Sequence, residues 1–204
     1  MFRRQQITVL ILLLIGAIVA IYQVTRPGHG GLRFQVDGDT AYINGGTNSR
    51  SYGVAKQFFK DNPQVNHLVL ERMPGTRDAD TNLRIAREIR KRGLTTHLNK
   101  NSYIASGAVD LFLSGTERTM ECGALIGVHS WSYTGRHGIG VFSPKNIGRD
   151  ERSRLQEHFL KEMGIDTDFY AFTRDAADAD EIYVLLPKDI ARFDLLTEET
   201  CRRG

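Results

Sequence analysis

Cysteine is scarce in this chain of 204 residues: Cys122 and Cys201 are the only two, too few for a disulfide-built scaffold and without the close spacing of a structural zinc site. Proline is equally sparse at 5, and the 20 glycines follow no repeat, which excludes collagen-like, mucin-like and disordered classes. An excess of one charge is missing too. The 27 Lys and Arg face 24 Asp and Glu, leaving a formal +3, and such a balance announces no nucleic-acid partner. His29, His67, His97, His137 and His158 stand at no metal-ligand spacing, so no metal site is expected. The Gly-x-Ser-x-Gly turn of ordinary α/β-hydrolases is also absent.

What is present is a folded-protein composition, 41% hydrophobic and 25% charged, at a length that suits one core. One long apolar run breaks the pattern. Ile7 to Tyr22 carries no charge, and extended to Val24 it reaches the lower limit of a membrane-spanning helix, about 20 residues. Two readings fit: an uncleaved anchor over 7–24, or a cleaved secretory signal with Arg3 and Arg4 as its basic start. No small-x-small cleavage site follows, which favours the anchor. Arg3, Arg4 and the amino group outweigh Arg26, so residues 1–6 are expected in the cytoplasm and the remainder outside, periplasmic or otherwise extracytoplasmic. Pro27-Gly28-His29-Gly30-Gly31 cannot continue a helix and reads, within 25–31, as a linker to a domain over 32–204.

Within that domain, Asp37-Gly38-Asp39 between Arg33–Val36 and Ala41–Ile43 predicts a hairpin. Tyr52, Ala55, Phe58 and Phe59 recur at helical spacing up to Asn62-Pro63. His67–Leu70 reads as a strand, Leu83, Ile85, Ala86 and Ile89 as an amphipathic helix ended by Gly93, and Leu94–Leu98 as another strand. Ala105–Leu113 predicts a helix of small apolar residues, Leu125–Val128 a buried strand, and Leu155, Phe159, Leu160 and Met163 a later helix. Strands alternating with helices imply an α/β fold with a largely parallel sheet.

Several polar residues interrupt this apolar background, and each has an ordinary explanation. Ser106 lies between a strand and a helix, where a hydroxyl commonly caps free amides. His129 ends the strand Leu125–Val128, a common place for a surface histidine. Met73-Pro74-Gly75-Thr76 reads as a turn. Asp110, one helical turn after Ser106, either lines a site or faces solvent. Trp131 and Tyr133 either line a groove or pack a loop. The run Arg84, Arg87, Arg90, Lys91, Arg92 reads as a solvated helix face.

In their order, however, these features resemble the proteolytic subunit of Clp protease and its membrane-associated relatives in the Clp/crotonase superfamily. Asn66–Gly75 matches a strand followed by a Pro-Gly turn, Ala105-Ser106 the turn that carries the nucleophile, and Gly127-Val128-His129, about two dozen residues later, the strand end that carries the base. The resemblance spans Leu32 to Thr197. It implies a repeated β-β-α spiral, preceded here by the single transmembrane helix, and a serine peptidase that works through an acyl-enzyme without a cofactor. Ser106 is then the nucleophile, His129 the base and Asp180 the orienting acid, with Asp178 as the other choice, and the amides of Gly107 and Thr76 form the oxyanion hole. Two departures stand out: Met73 and Thr76 replace a serine and a glycine of the family turn. Trp131 and Tyr133 would contact a peptide or protein substrate, and the Leu155–Met163 helix falls where the family forms homo-oligomers. A non-catalytic scaffold is the second reading, with Thr76 in its favour; an acyl-CoA enzyme is the third, disfavoured because a Ser/His pair suits hydrolysis rather than enolate chemistry.

Overall fold

A computed structural model describes residues 31–130, 133–134, 141–142 and 151–198, all within one unit, Gly31–Gly204. The expected anchor over 7–24 lies outside the described residues. Among those described, no helix is long and apolar enough to cross a membrane.

The Asp37-Gly38-Asp39 signal forms its hairpin. β1 (Arg33–Asp37) pairs antiparallel with β2 (Thr40–Asn44), Asp37 opposite Thr40, and Gly38 turns at φ 61°, which glycine adopts without a Cβ clash. From there the chain repeats one device: each pass lays one strand in each of two sheets. β3 (His67–Leu70) pairs parallel with β2, and β4 (Arg72–Met73) starts the second sheet. β5 (Thr95–Leu98) and β6 (Tyr103–Ala105) follow, then β7 (Arg118–Met120) and β8 (Leu125–Val128). The first sheet runs β1-β2-β3-β5-β7; the second runs β11-β8-β6-β4, with β11 at Tyr183–Val184. Every pairing from β2 to β8 is parallel, and only β1 and β11 join antiparallel. β9 (Tyr133–Thr134) and β10 (Val141–Phe142) form a separate antiparallel pair. The largely parallel α/β architecture is thus present, split between two sheets where periodicity suggested one.

The helices are α1 (Ser51–Asp61), α2 (Ala79–Lys91), α3 (Gly107–Leu113), α4 (Glu151–Glu162), α5 (Asp168–Ala176) and α6 (Pro187–Arg192). Asp78 caps α2 by accepting the Thr81 amide at 2.9 Å, which satisfies one orphan donor of the first turn. Helix α2 buries Leu83, Ile85, Ala86 and Ile89 against a core that includes Phe59, Leu68, Leu70, Leu98, Ile104 and Phe112; each such large side chain contributes about 1.5–3 kcal/mol on removal from water. Ala105 belongs to β6 rather than to the helix expected over Ala105–Leu113, so strand and helix meet at Ser106. The basic run on α2 is only in part a solvated face: Arg84 lies over the Tyr52 ring at 3.9 Å, Arg87 pairs with Glu162 at 2.6 Å, and Arg90 donates to the carbonyls of Leu113 and Met163. Cys122 is disulfide-bonded. Its single possible partner in the chain, Cys201, lies outside the described residues.

Candidate active site

Ser106 is where the second sheet meets α3, and its backbone shows the demand of that junction. At φ 55° and ψ −130° it occupies a region that L-residues rarely visit, at a cost of about 1–3 kcal/mol that the surroundings must hold. Two hydrogen bonds hold it: its amide donates to the Gly127 carbonyl of β8 at 3.0 Å, and its carbonyl accepts from the Val109 amide at 2.9 Å. No cap bond engages the side chain. The ordinary explanation, a hydroxyl spent on orphan amides, therefore does not apply, and Ser106, half-buried, lines a cavity of about 440 Å³.

His129 lines the same cavity. It follows β8 directly, and because β8 pairs in parallel with β6, Ala105 opposite Gly127, the ends of these neighbouring strands bring Ser106 and His129 to one cavity. Its Nδ1 is buried and has no hydrogen-bond partner among the described residues. Asp180 is exposed and is not among the residues that line the cavity. Neither it nor Asp178 reaches Nδ1, although the acidic stretch starts close by: the Ser130 amide donates to the Ala177 carbonyl at 2.8 Å.

Gly75 packs against Ser106, and the next residue, Thr76, lines the cavity. Gly75 has φ 121°, and a Cβ there would stand 2.8 Å from Ser106 Cβ, so both backbone conformation and space require glycine. The β-branched Thr76 is accommodated without a positive φ. Its Oγ1 donates to the Asp78 carbonyl at 2.9 Å and accepts the Asp78 amide at 3.0 Å, which fixes the rotamer and lays its methyl against Gly107, where a Cβ would meet it at 2.5 Å. The amides of Thr76 and Gly107 donate to no described residue. Both residues line the cavity.

Asp110 does line the site. Its Oδ2 accepts from Asn82 Nδ2 at 3.1 Å and its Oδ1 from Gln156 Nε2 at 2.6 Å. Burial raises its pKa to about 7 against those two stabilising bonds. The remaining lining mixes Arg77 and Arg152 with Val109, Leu160, Phe169 and Tyr170. The last two belong to α5, which periodicity did not reveal, and Asn82 was missed because a lone amide inside an amphipathic helix carries no pattern. Of the expected substrate contacts, Trp131 lies outside the described residues and Tyr133 falls on β9, whose side chains are not described. Among the described residues, no group of His, Cys, Asp and Glu is placed to hold a metal.

No family model and no curated protein matches this sequence. Solved structures do resemble it in fold. A serine-to-alanine mutant of the membrane-bound stomatin-specific protease 1510-N superposes with a TM-score of 0.53 at 16% identity, covering 80% of each chain. A lysine-to-alanine mutant of the same protease, in complex with a substrate peptide, gives 0.53 at 15% identity over 76% of this chain and 71% of that one. Methylmalonyl CoA decarboxylase gives 0.51 at 12% identity over 83% and 67%. The likeness is one of fold, shared here by a protease and by an enzyme of CoA esters, and fold alone does not choose between such chemistries.

Proposed function

We propose that this chain is a serine hydrolase acting on peptides, with Ser106 as nucleophile. The observation that carries the reading is the strained elbow: a non-glycine residue at φ 55°, its hydroxyl uncapped, facing a cavity shared with a histidine and two unbonded amides. Backbone strain of this kind persists where function requires it. In the proposed reaction Ser106 Oγ attacks the scissile carbonyl while its proton passes to His129, the amides of Gly107 and Thr76 hold the oxyanion, and His129 returns the proton to the departing amine. Water then cleaves the acyl-enzyme by the same route. Asp180, expected as the orienting acid, is exposed and does not reach His129 Nδ1, so it is given no role in this reaction. The likeness to a protease solved with a substrate peptide supports peptides over acyl-CoA substrates.

We also propose that the domain is extracytoplasmic and held by the Ile7–Tyr22 segment; the bonded state of Cys122 supports an oxidising compartment. A catalytically silent binding module is the second reading, and the unpartnered Nδ1 of His129 is the observation in its favour. Reaction with a fluorophosphonate separates the two. Wild-type protein in membranes should label, Ser106→Ala should abolish labelling, and His129→Ala should suppress it strongly. An unlabelled wild type, or a Ser106→Ala variant that labels equally, rejects hydrolysis in favour of the binding module.

A further inference from the structure

Asn82 is 1% exposed on the buried face of α2, where an amide is costly unless fully bonded. Three hydrogen bonds satisfy it. Oδ1 accepts from Thr47 Oγ1 at 2.8 Å, and Nδ2 donates to the Gly107 carbonyl at 2.7 Å and to Asp110 Oδ2 at 3.1 Å. The Gly107 carbonyl can only accept, so it fixes which end of the amide faces α3. Thr47 in turn brackets Thr76: its amide donates to the Gly75 carbonyl at 3.1 Å and its carbonyl accepts from the Arg77 amide at 2.9 Å. One side chain thereby ties together the two loops that carry the unbonded amides, although they belong to distant parts of the sequence.

We infer that Asn82 is a positioning residue that holds the Thr76 and Gly107 amides in register as a single oxyanion hole. The inference rests on the hydrolase reading. The hole acts on charge that develops only in the transition state, so its misalignment lowers the chemical step and leaves ground-state binding alone. A residue needed merely for folding would not divide the two.

The test resolves fluorophosphonate labelling into a maximal rate, kinact, and an apparent affinity, KI, for wild type, Asn82→Ala, Asn82→Asp and Thr47→Val, with thermal melts of each. Asn82→Asp keeps size and the Thr47 bond but, as a carboxylate at the alkaline pH of the assay, cannot donate to Gly107. Both Asn82 variants should lose kinact by about 10²-fold, the scale of one oxyanion donor, with KI changed less than about threefold. Thr47→Val, nearly isosteric, should lose kinact by about tenfold, and it decides the matter if the Asn82 variants do not fold. Folded variants that label at the wild-type kinact, or whose loss falls in KI, overturn the role of Asn82 and leave the hydrolase reading standing. A wild type that does not label overturns both.

Discussion

The Asp110 carboxyl is partly buried in the cavity wall between Asn82 and Gln156, and its proton has consequences for stability. Its folded pKa stands at about 7 against an ordinary 3.8. Between those values the folded chain keeps a proton that the unfolded chain has released, so stability falls as pH rises through this window and levels off above about 7. The full effect is on the order of 4 kcal/mol by linkage. Melting temperatures measured from pH 4 to 8 should decline more steeply for wild type than for Asp110→Asn; parallel profiles would remove Asp110 as the source. At this scale Ser106 and His129 were legible as candidates, because each sits where a strand signal stops and their order resembles that of a known family, and both line one cavity. The sequence could not reveal Asn82, whose partners Thr47, Gly107 and Asp110 are brought to it only by folding. Nor could Pro74-Gly75 be told from an ordinary turn, since the crowding of Gly75 against Ser106 is a fact of packing.

Among the elements, α4 shows how a legible helix can conceal its partner. The spacing of Leu155, Phe159, Leu160 and Met163 correctly marked a helix, yet it could not say whether the stripe met the chain's own core or a second copy. Phe159 and Met163 are buried in the core at 0% and 4% exposure, while Leu155 is 44% exposed. Little of the stripe is left for self-association. Phe159→Ala should therefore cost about 3–5 kcal/mol in denaturant unfolding, whereas Leu155→Ala should stay within about 0.5 kcal/mol and leave the size seen by light scattering unchanged. A dimer or larger assembly that dissociates on Leu155→Ala would restore the oligomerising role. Strand β5 and helices α1 and α2 were readable because burial on one face imposes a period, and β3 and β8, each buried at three successive residues, were readable as short apolar runs. Short strands such as β4 and β6, of two and three residues, are too brief for any period to show, and the second sheet was missed for that reason.

On the scale of the whole molecule, the Cys122 disulfide closes a loop of roughly 80 residues if Cys201 is its partner, which by chain entropy amounts to between 4 and 5 kcal/mol, on the order of the upper range for such links. Thiol titration of protein from its native compartment should find no free cysteine, and reduction should lower Tm; two free thiols would contradict the bonded state. Protease added outside spheroplasts should digest the domain, and protection of the domain would reject its export. The hydrogen bond from the Ser106 amide to Gly127 has a bearing on time as well as on place. It lies between β6 and β8, two inner strands of the four-stranded sheet, so its deuterium exchange requires those strands to part, an opening close to global unfolding rather than local fraying. The elbow has no slack of its own: it lasts as long as the sheet does, and the Ser106 amide proton should be among the last in the chain to leave.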